Sequence, residues 1–307
     1  MTAMVPQILL DPQADDVSAP GWRRLTHRPL PVICLIVVAL YTMTGLASFT
    51  PIFNRKVEQV VADSYARPSL AHVDLWLGAD VQGRPVLWRL LFGTRIALTI
   101  TLCASVLSLG IGVTLGVLAG FYGGWIDELI TWIFSTVNSV PWILLVLALV
   151  FVFRDITVFG HELPELAIVI LALGLTDWVG ICRLIRAEVF KHRGRDYVQA
   201  ARAAGIGDGR ILFRHILPNV MHLVIITFSL GAVGYVQAEV VLTFLGLGIS
   251  DKPSWGRMID DAKLELMHGV WWQLVAATVA IAILCLALNI LGDAVRDALD
   301  PRLRGVD

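Results

Sequence analysis

An all-α, polytopic membrane fold with six transmembrane helices is predicted by three observations. The chain of 307 residues is 57% hydrophobic and only 16% charged, too apolar for a soluble chain of this length. Its apolar residues gather in six runs, at about 30–53, 94–119, 125–153, 164–182, 219–247 and 270–292. Each is close to the roughly 20 residues that cross a hydrocarbon core of about 30 Å. None of these runs alternates apolar and polar residues as barrel strands do.

Residues 1–29 read as a cytoplasmic tail ending in Arg23, Arg24 and Arg28 ahead of an uncleaved anchor, because the run that follows is too long for a signal-peptide core. Residues 30–53 form that anchor and carry no ionisable side chain before the outer loop, 54–91. Late in this loop, Trp88, Arg84 and Arg89 punctuate a segment from Leu77 to Leu98 that reads as an interfacial helix at the headgroups. Residues 92–293 make a five-helix core. In its first span, Gly112, Gly116 and Gly120 recur every four residues and line up one bare face for close backbone packing. The second span is interrupted by Pro141, after Asn138 and Ser139, and a proline there predicts a kink satisfied by neighbours or a water-lined path. The next spans hold Asp177 and Glu239. A carboxylate inside the hydrocarbon must face protein or water, so both are candidate functional acids with structural pairing as the alternative. Glu239 is the most deeply placed acid, whereas Glu265 falls in an outer loop, 248–270. Residues 294–307 close the chain as a second cytoplasmic tail.

The polar stretch 189–218 interrupts this hydrocarbon pattern. Eight of the chain's 24 Lys and Arg lie between Arg183 and Arg214, which places this loop in the cytoplasm and, with six spans, both termini there too. Gln199, Ala200, Ala201, Arg202 and their neighbours are good helix formers with small side chains, and Gly205, Gly207 and Gly209 end that helix. A second short helix is expected from Arg210 to Leu217, stopped by Pro218. Helix, glycine turn and helix make a compact knob.

Ala200, Ala201, Gly205, Leu217 and Pro218 fall at the spacing of the cytoplasmic coupling motif of permease subunits in ATP-binding cassette (ABC) importers, with Gln199 in the place of the usual Glu and His215 in that of an aliphatic. The flanking Asp196-Tyr197-Val198 and Arg214-His215-Ile216-Leu217-Pro218-Asn219 resemble the dipeptide/oligopeptide branch, C-type permease. A second signature of that branch is matched by Gly78, Asp80, Gly83, Arg84, Arg89, Gly93 and Arg95, and departed from at Ala79, Pro85, Trp88 and Ala97. The resemblance implies a type I importer permease fold in the inner membrane of a prokaryote. It implies as partners a second homologous permease, two ABC ATPases that bind ATP and Mg, an extracytoplasmic substrate-binding protein and the lipid bilayer. It assigns the ATPase contact to Gln199, Ala200, Ala201, Arg202, Gly205, Asp208, Arg210, Leu217 and Pro218, and makes Asn138 and Pro141, with Asp177 and Glu239, candidates for the translocation path. The cargo implied is peptide. Relatives carrying nickel, glutathione or oligosaccharide, and an ion-coupled secondary transporter using Asp177 and Glu239, are the alternatives.

No catalytic residue is expected. Lys56, Lys191, Lys252 and Lys263 lack a preceding glycine, so there is no Walker A loop, and His-Glu-x-x-His, Cys-x-x-Cys and Gly-x-Ser-x-Gly are missing. Cys34, Cys103, Cys182 and Cys285 sit in or at the ends of predicted spans, so neither a disulfide nor a metal site is expected. A net charge of −1 gives no footing for nucleic acid.

Overall fold

The computed structural model describes residues 29–158 and 160–299. Readings that concern the tails at 1–28 and 300–307, Arg302 and Arg304 included, lie outside the described residues. The described chain is helical apart from loops and a two-residue hairpin, Thr157–Val158 with His161–Glu162. Among the described residues five helices are long and apolar enough to span a membrane, and a bent helix pair brings the number to six when it is counted as one span.

The anchor α1 runs Pro29–Ala47 and is shorter than the expected 30–53, because α2, Pro51–Glu58, is a separate helix. Thr50 precedes a proline and is extended, at φ −72° and ψ 147°, which breaks the ladder. Ser48 donates its hydroxyl back to the Gly45 carbonyl at 2.6 Å, and Arg95 holds the break from outside by stacking 3.7 Å from the Phe49 ring.

The central helix α3 spans Val86–Tyr122, 37 residues, or about 55 Å, and therefore extends past both edges of a bilayer core. The interfacial helix expected over 77–98 is thus not a separate element. Its charges do not face headgroups: Arg89 is 3% exposed and bonded to Asp80 and Asp261. The residues that made the segment read as amphipathic are instead satisfied inside the protein.

Helices α4, Gly124–Asn138, and α5, Trp142–Arg154, bend by 91° at Pro141. The expected kink is a right angle. Pro141 has no N–H to give, and Ser139 caps the end of α4 by donating to the Thr136 carbonyl at 2.7 Å. Helices α6, Glu165–Thr176, and α7, Trp178–Arg193, form one span broken at Asp177, so this span reaches eleven residues beyond the expected end at 182.

After the short α8, Asp196–Ala203, the chain enters α9, Asp208–Ile211, then passes through a π-helical turn, Leu212–Ile216, into α10, Leu217–Phe244. The expectation that Pro218 stops the second short helix is wrong. The Leu217 N–H bonds the Leu212 carbonyl five residues back, and this widened turn makes room for a proline ring that would otherwise clash with the preceding carbonyl. The span therefore begins inside the polar island rather than after it. Helix α11, Trp255–Met267, has Ser254 as N-cap accepting from Arg257 N at 3.1 Å, and α12, Trp272–Leu299, takes in the first residues of the expected C-terminal tail.

Packing centres on α3, which contacts α1, α6, α7 and α10, while α12 lies against α1, α10 and α11. The glycine stripe sets the closest of these approaches. A Cβ on Gly112 would stand 2.7 Å from the Trp178 carbonyl oxygen, on Gly116 2.7 Å from that of Cys182, and on Gly120 2.6 Å from that of Arg186. Three consecutive turns of α3 thus lie directly on the α7 backbone, the geometry that small residues permit between membrane helices.

Candidate functional site

The knob begins where α7 leaves the bundle. Helix α8 ends in a Schellman cap: Gly205 N–H bonds the Arg202 carbonyl at 2.9 Å and Ile206 N–H the Ala201 carbonyl at 3.0 Å. That geometry requires the left-handed φ of +77° found at Gly205. Val198, Ala201, Ile211, Leu212 and Ile216 turn inward and share one apolar cluster with Phe121, Ile185 and Val189. The knob is therefore packed onto α3 and α7, and its π turn runs straight into α10. Gln199, Ala200, Ala203, Ala204, Gly205, Asp208, Gly209 and Arg210 are left exposed as its rim.

The structure redistributes the roles read from the sequence. Arg202, taken as a docking charge, is half-buried, 3.5 Å from Asp208 and 5.5 Å over the Phe121 ring, so it ties the two short helices together. Gln199 donates its side-chain amide to the Arg193 carbonyl at 3.4 Å. Leu217 and Pro218 lie at the root of the knob, with Arg210 on its rim. Phe213, 69% exposed, is an apolar member of this rim that sequence reading missed. Its signal was present, since it is flanked by Leu212 and Arg214 at the one turn where the helix widens.

Beside the knob's root, Ser135, Asn138 and Ser139 of α4 meet Gly180, Arg183 and Ala187 of α7 around a cavity of about 850 Å³. Pro141 is exposed at the adjoining bend. Asp177, Gly180, Arg183, Leu184 and Ala187 continue down one exposed face of α7 at helical spacing. Asp177 accepts a hydrogen bond of 2.7 Å from the Tyr235 hydroxyl of α10, next to the buried hydroxyls of Ser105 and Ser108 on α3. Asn138, Pro141 and Asp177 are thus brought to one side of the bundle.

Glu239 is not. It is 1% exposed and is not among the residues that line the cavity between α4 and α7. Thr243 donates to its Oε1 at 3.0 Å, and a Cβ on Gly256 would come within 3.0 Å of the same oxygen, so the carboxylate seats against the first turn of α11. A carboxylate at a helix N-terminus is favourably placed. Glu239 locks α11 onto α10.

The second matched signature is a fastening at the opposite end from the knob. Asp80, fully buried, accepts from the backbone N–H groups of Gln82 and Arg84, from Arg84 Nε at 2.8 Å, and from Arg89. Arg89 reaches on to Asp261 of α11 at 3.3 Å. Gly78 and Gly83, at φ of +77° and +72°, make the turns that wrap this carboxylate. Asp74, nearby on a 3₁₀ turn, is held below the usual carboxylate range by hydrogen bonds from Trp88 and Lys56.

Apolar spans locked by glycines around a protruding helix-turn-helix knob make an all-α polytopic membrane fold. A family model described as "Binding-protein-dependent transport system inner membrane component" matches residues 112–305, and the chain belongs to that family. It is 34% identical to a dipeptide transport system permease protein DppC of Bacillus subtilis, over 95% of this chain and 90% of that one. It is 33% identical to an oligopeptide transport system permease protein OppC of the same organism, over 92% and 88%. It is 35% identical to a glutathione transport system permease protein GsiD of Pectobacterium atrosepticum, over 77% and 75%. An inward-facing structure of the MetNI methionine ABC transporter covers 70% of this chain and 98% of its own, at 20% identity and a TM-score of 0.55. That last likeness is one of fold.

Proposed function

We propose that this chain is a non-catalytic permease subunit of an ATP-driven peptide importer, lining half of the translocation path and receiving force from cytoplasmic ATPases through the knob. The observation that carries this reading is the construction of the knob: a rigid cap with an exposed rim, packed on α3 and α7 and continuous with α10. A push on the rim moves three spans together. The basic residues around the knob favour a cytoplasmic position for it, and an even number of spans would bring both termini to the same side. ATP and Mg then belong to the partner ATPases, and a second permease and a substrate-binding protein complete the importer. Two of the three sequence relatives quoted above are named for dipeptide or oligopeptide transport, which favours peptide over glutathione as cargo. The cavity between α4 and α7 and the exposed face from Asp177 to Ala187 supply polar groups for the path.

Uptake of a labelled dipeptide by cells carrying the complete importer tests this reading. Uptake is expected to vanish when the cognate ATPase is deleted and to persist when an uncoupler collapses the proton gradient. Loss with the uncoupler while cellular ATP is maintained, and survival of the ATPase deletion, would identify an ion-coupled carrier instead.

A further inference from the structure

A second cavity, of about 380 Å³, lies at the end remote from the knob, lined from α2, the turn before α3, α3 itself and α11. This is within the range of roughly 300–1,000 Å³ of small-molecule sites. Glu265 is on its wall. The sequence placed this residue in an outer loop, yet it stands on the buried stripe of α11 with Trp255, Met258 and Ala262, and is 2% exposed. Neither of its oxygens accepts a well-formed hydrogen bond, the backbone N–H of Val81 being the donor that approaches them. A buried carboxylate so sparsely supplied with donors calls for a compensating group.

No cation on the same wall is free to provide it. Arg84 and Arg89 are committed to Asp80, Arg89 also reaches Asp261, Arg257 is 3.1 Å from Asp261 and 3.7 Å from Asp260, and Lys252 is 3.8 Å from Asp251. With those pairs set aside, the wall carboxylates without an ion-pair partner among the described residues are Glu265 within and the exposed Glu58 at the rim. We propose that this pocket binds the α-ammonium group of a peptide, with the Glu265 oxygens accepting its N–H donors and Glu58 adding negative charge at the mouth. The assignment rests on the peptide-importer reading. It adds a recognition site on the permease itself.

The site is coupled to pH. Burial lifts the Glu265 carboxyl to about 7, helped by Asp80 and Asp261, while the Val81 amide and Arg89 pull the other way. Gln82, Arg84, Ser250, Asp251, Lys252 and Arg257 also line this side, where Tyr65 stacks on His268. Raising the pH from 6 to 7 takes such a group from about one-tenth to one-half ionised, so affinity for an ammonium ion is expected to rise about fivefold.

The test is calorimetric titration of the complete importer in lipid nanodiscs, without the binding protein, using trialanine and N-acetyl-trialanine. Trialanine is expected to bind, about fivefold more tightly at pH 7 than at pH 6, with binding lost on N-acetylation and reduced at least tenfold in E265Q. Equal binding of the acetylated peptide to the unaltered complex, no binding of trialanine, or undiminished binding by a folded E265Q variant would each overturn the proposal. Dipeptide uptake with the binding protein present is measured in parallel. Persisting uptake alongside any of those three results overturns this site alone, whereas failed uptake overturns the importer reading.

Discussion

Replacing Gly205 by valine is expected to leave the subunit in the membrane and abolish both substrate-stimulated ATP hydrolysis and transport. The effect is conformational rather than steric. A Cβ at this position meets no atom within 4 Å, but φ is +77°, a region that costs an L-residue about 1–2 kcal/mol and a β-branched one more. The chain relieves that cost by abandoning the Schellman cap, and the two bonds from Gly205 and Ile206 to α8 carbonyls, which set the direction in which the chain leaves for α9, go with it. The rim then no longer presents Ala203, Ala204, Arg210 and Phe213 in one arrangement. Gly205→Asn, which tolerates the left-handed region, is expected to retain most of the stimulation, and Gln199→Glu to be tolerated, since the amide bond it removes is long at 3.4 Å. The readout is ATPase activity of the purified complex with and without loaded binding protein. Full stimulation in Gly205→Val would remove the knob from the coupling path.

The other large effect is expected at Gly116. An added Cβ would stand 2.7 Å from the Cys182 carbonyl oxygen, 3.0 Å from Ile185 Cβ and 3.2 Å from the Arg186 nitrogen, and two of these three neighbours are backbone. The α3–α7 contact must open to admit it. Overpacking of this kind costs about 1–3 kcal/mol for a single methyl, and Gly116→Leu is expected to prevent a stable subunit from accumulating. Gly110 is the internal comparison, on the same helix with nothing within 4 Å of its Cβ, so Gly110→Ala is expected to cause no loss. Thermal unfolding of the solubilised complex checks both. Equal midpoints for Gly116→Ala and Gly110→Ala would mean that the glycine stripe does not set the packing of this bundle.

Which parts of this structure were legible in the sequence follows from which signals are local. Apolar runs and glycine spacing are local, and they marked out the spans and the face of α3 that meets α7. The coupling motif is also local, and it marked the knob. Helix ends were less legible, because α3 begins among residues buried within the protein, Arg89 included, and the helical path into α10 is continuous from Asp208 through the π turn, so neither true start is marked by a change of hydropathy. Pro218 misled for a related reason: its rule forbids an ordinary helical turn, and the chain evades it with a π turn. The acids were hardest. Glu239 and Glu265 read differently in sequence, one in a span and one in a loop, yet both are buried at α11. For Glu265 the cue was the i, i+3, i+7, i+10 pattern of Trp255, Met258, Ala262 and Glu265, which places an acid where an apolar residue belongs. For Arg89 no local cue exists, since its partners Asp80 and Asp261 are assembled only by the fold.

Cysteine cross-linking most directly tests the claim that cytoplasmic ATPases drive these spans through the knob. One cysteine is placed at Ala204, exposed beside the glycine turn, and another at Leu70, 89% exposed at the opposite end, each in the complete importer with the exposed Cys103 replaced by serine. With a short bifunctional thiol reagent, the Ala204 cysteine is expected to cross-link to an ATPase subunit in a yield that changes on ATP binding, and the Leu70 cysteine to cross-link only to the extracytoplasmic binding protein. Attachment of the ATPase at Leu70 with none at Ala204 would contradict both the orientation and the coupling role of the knob.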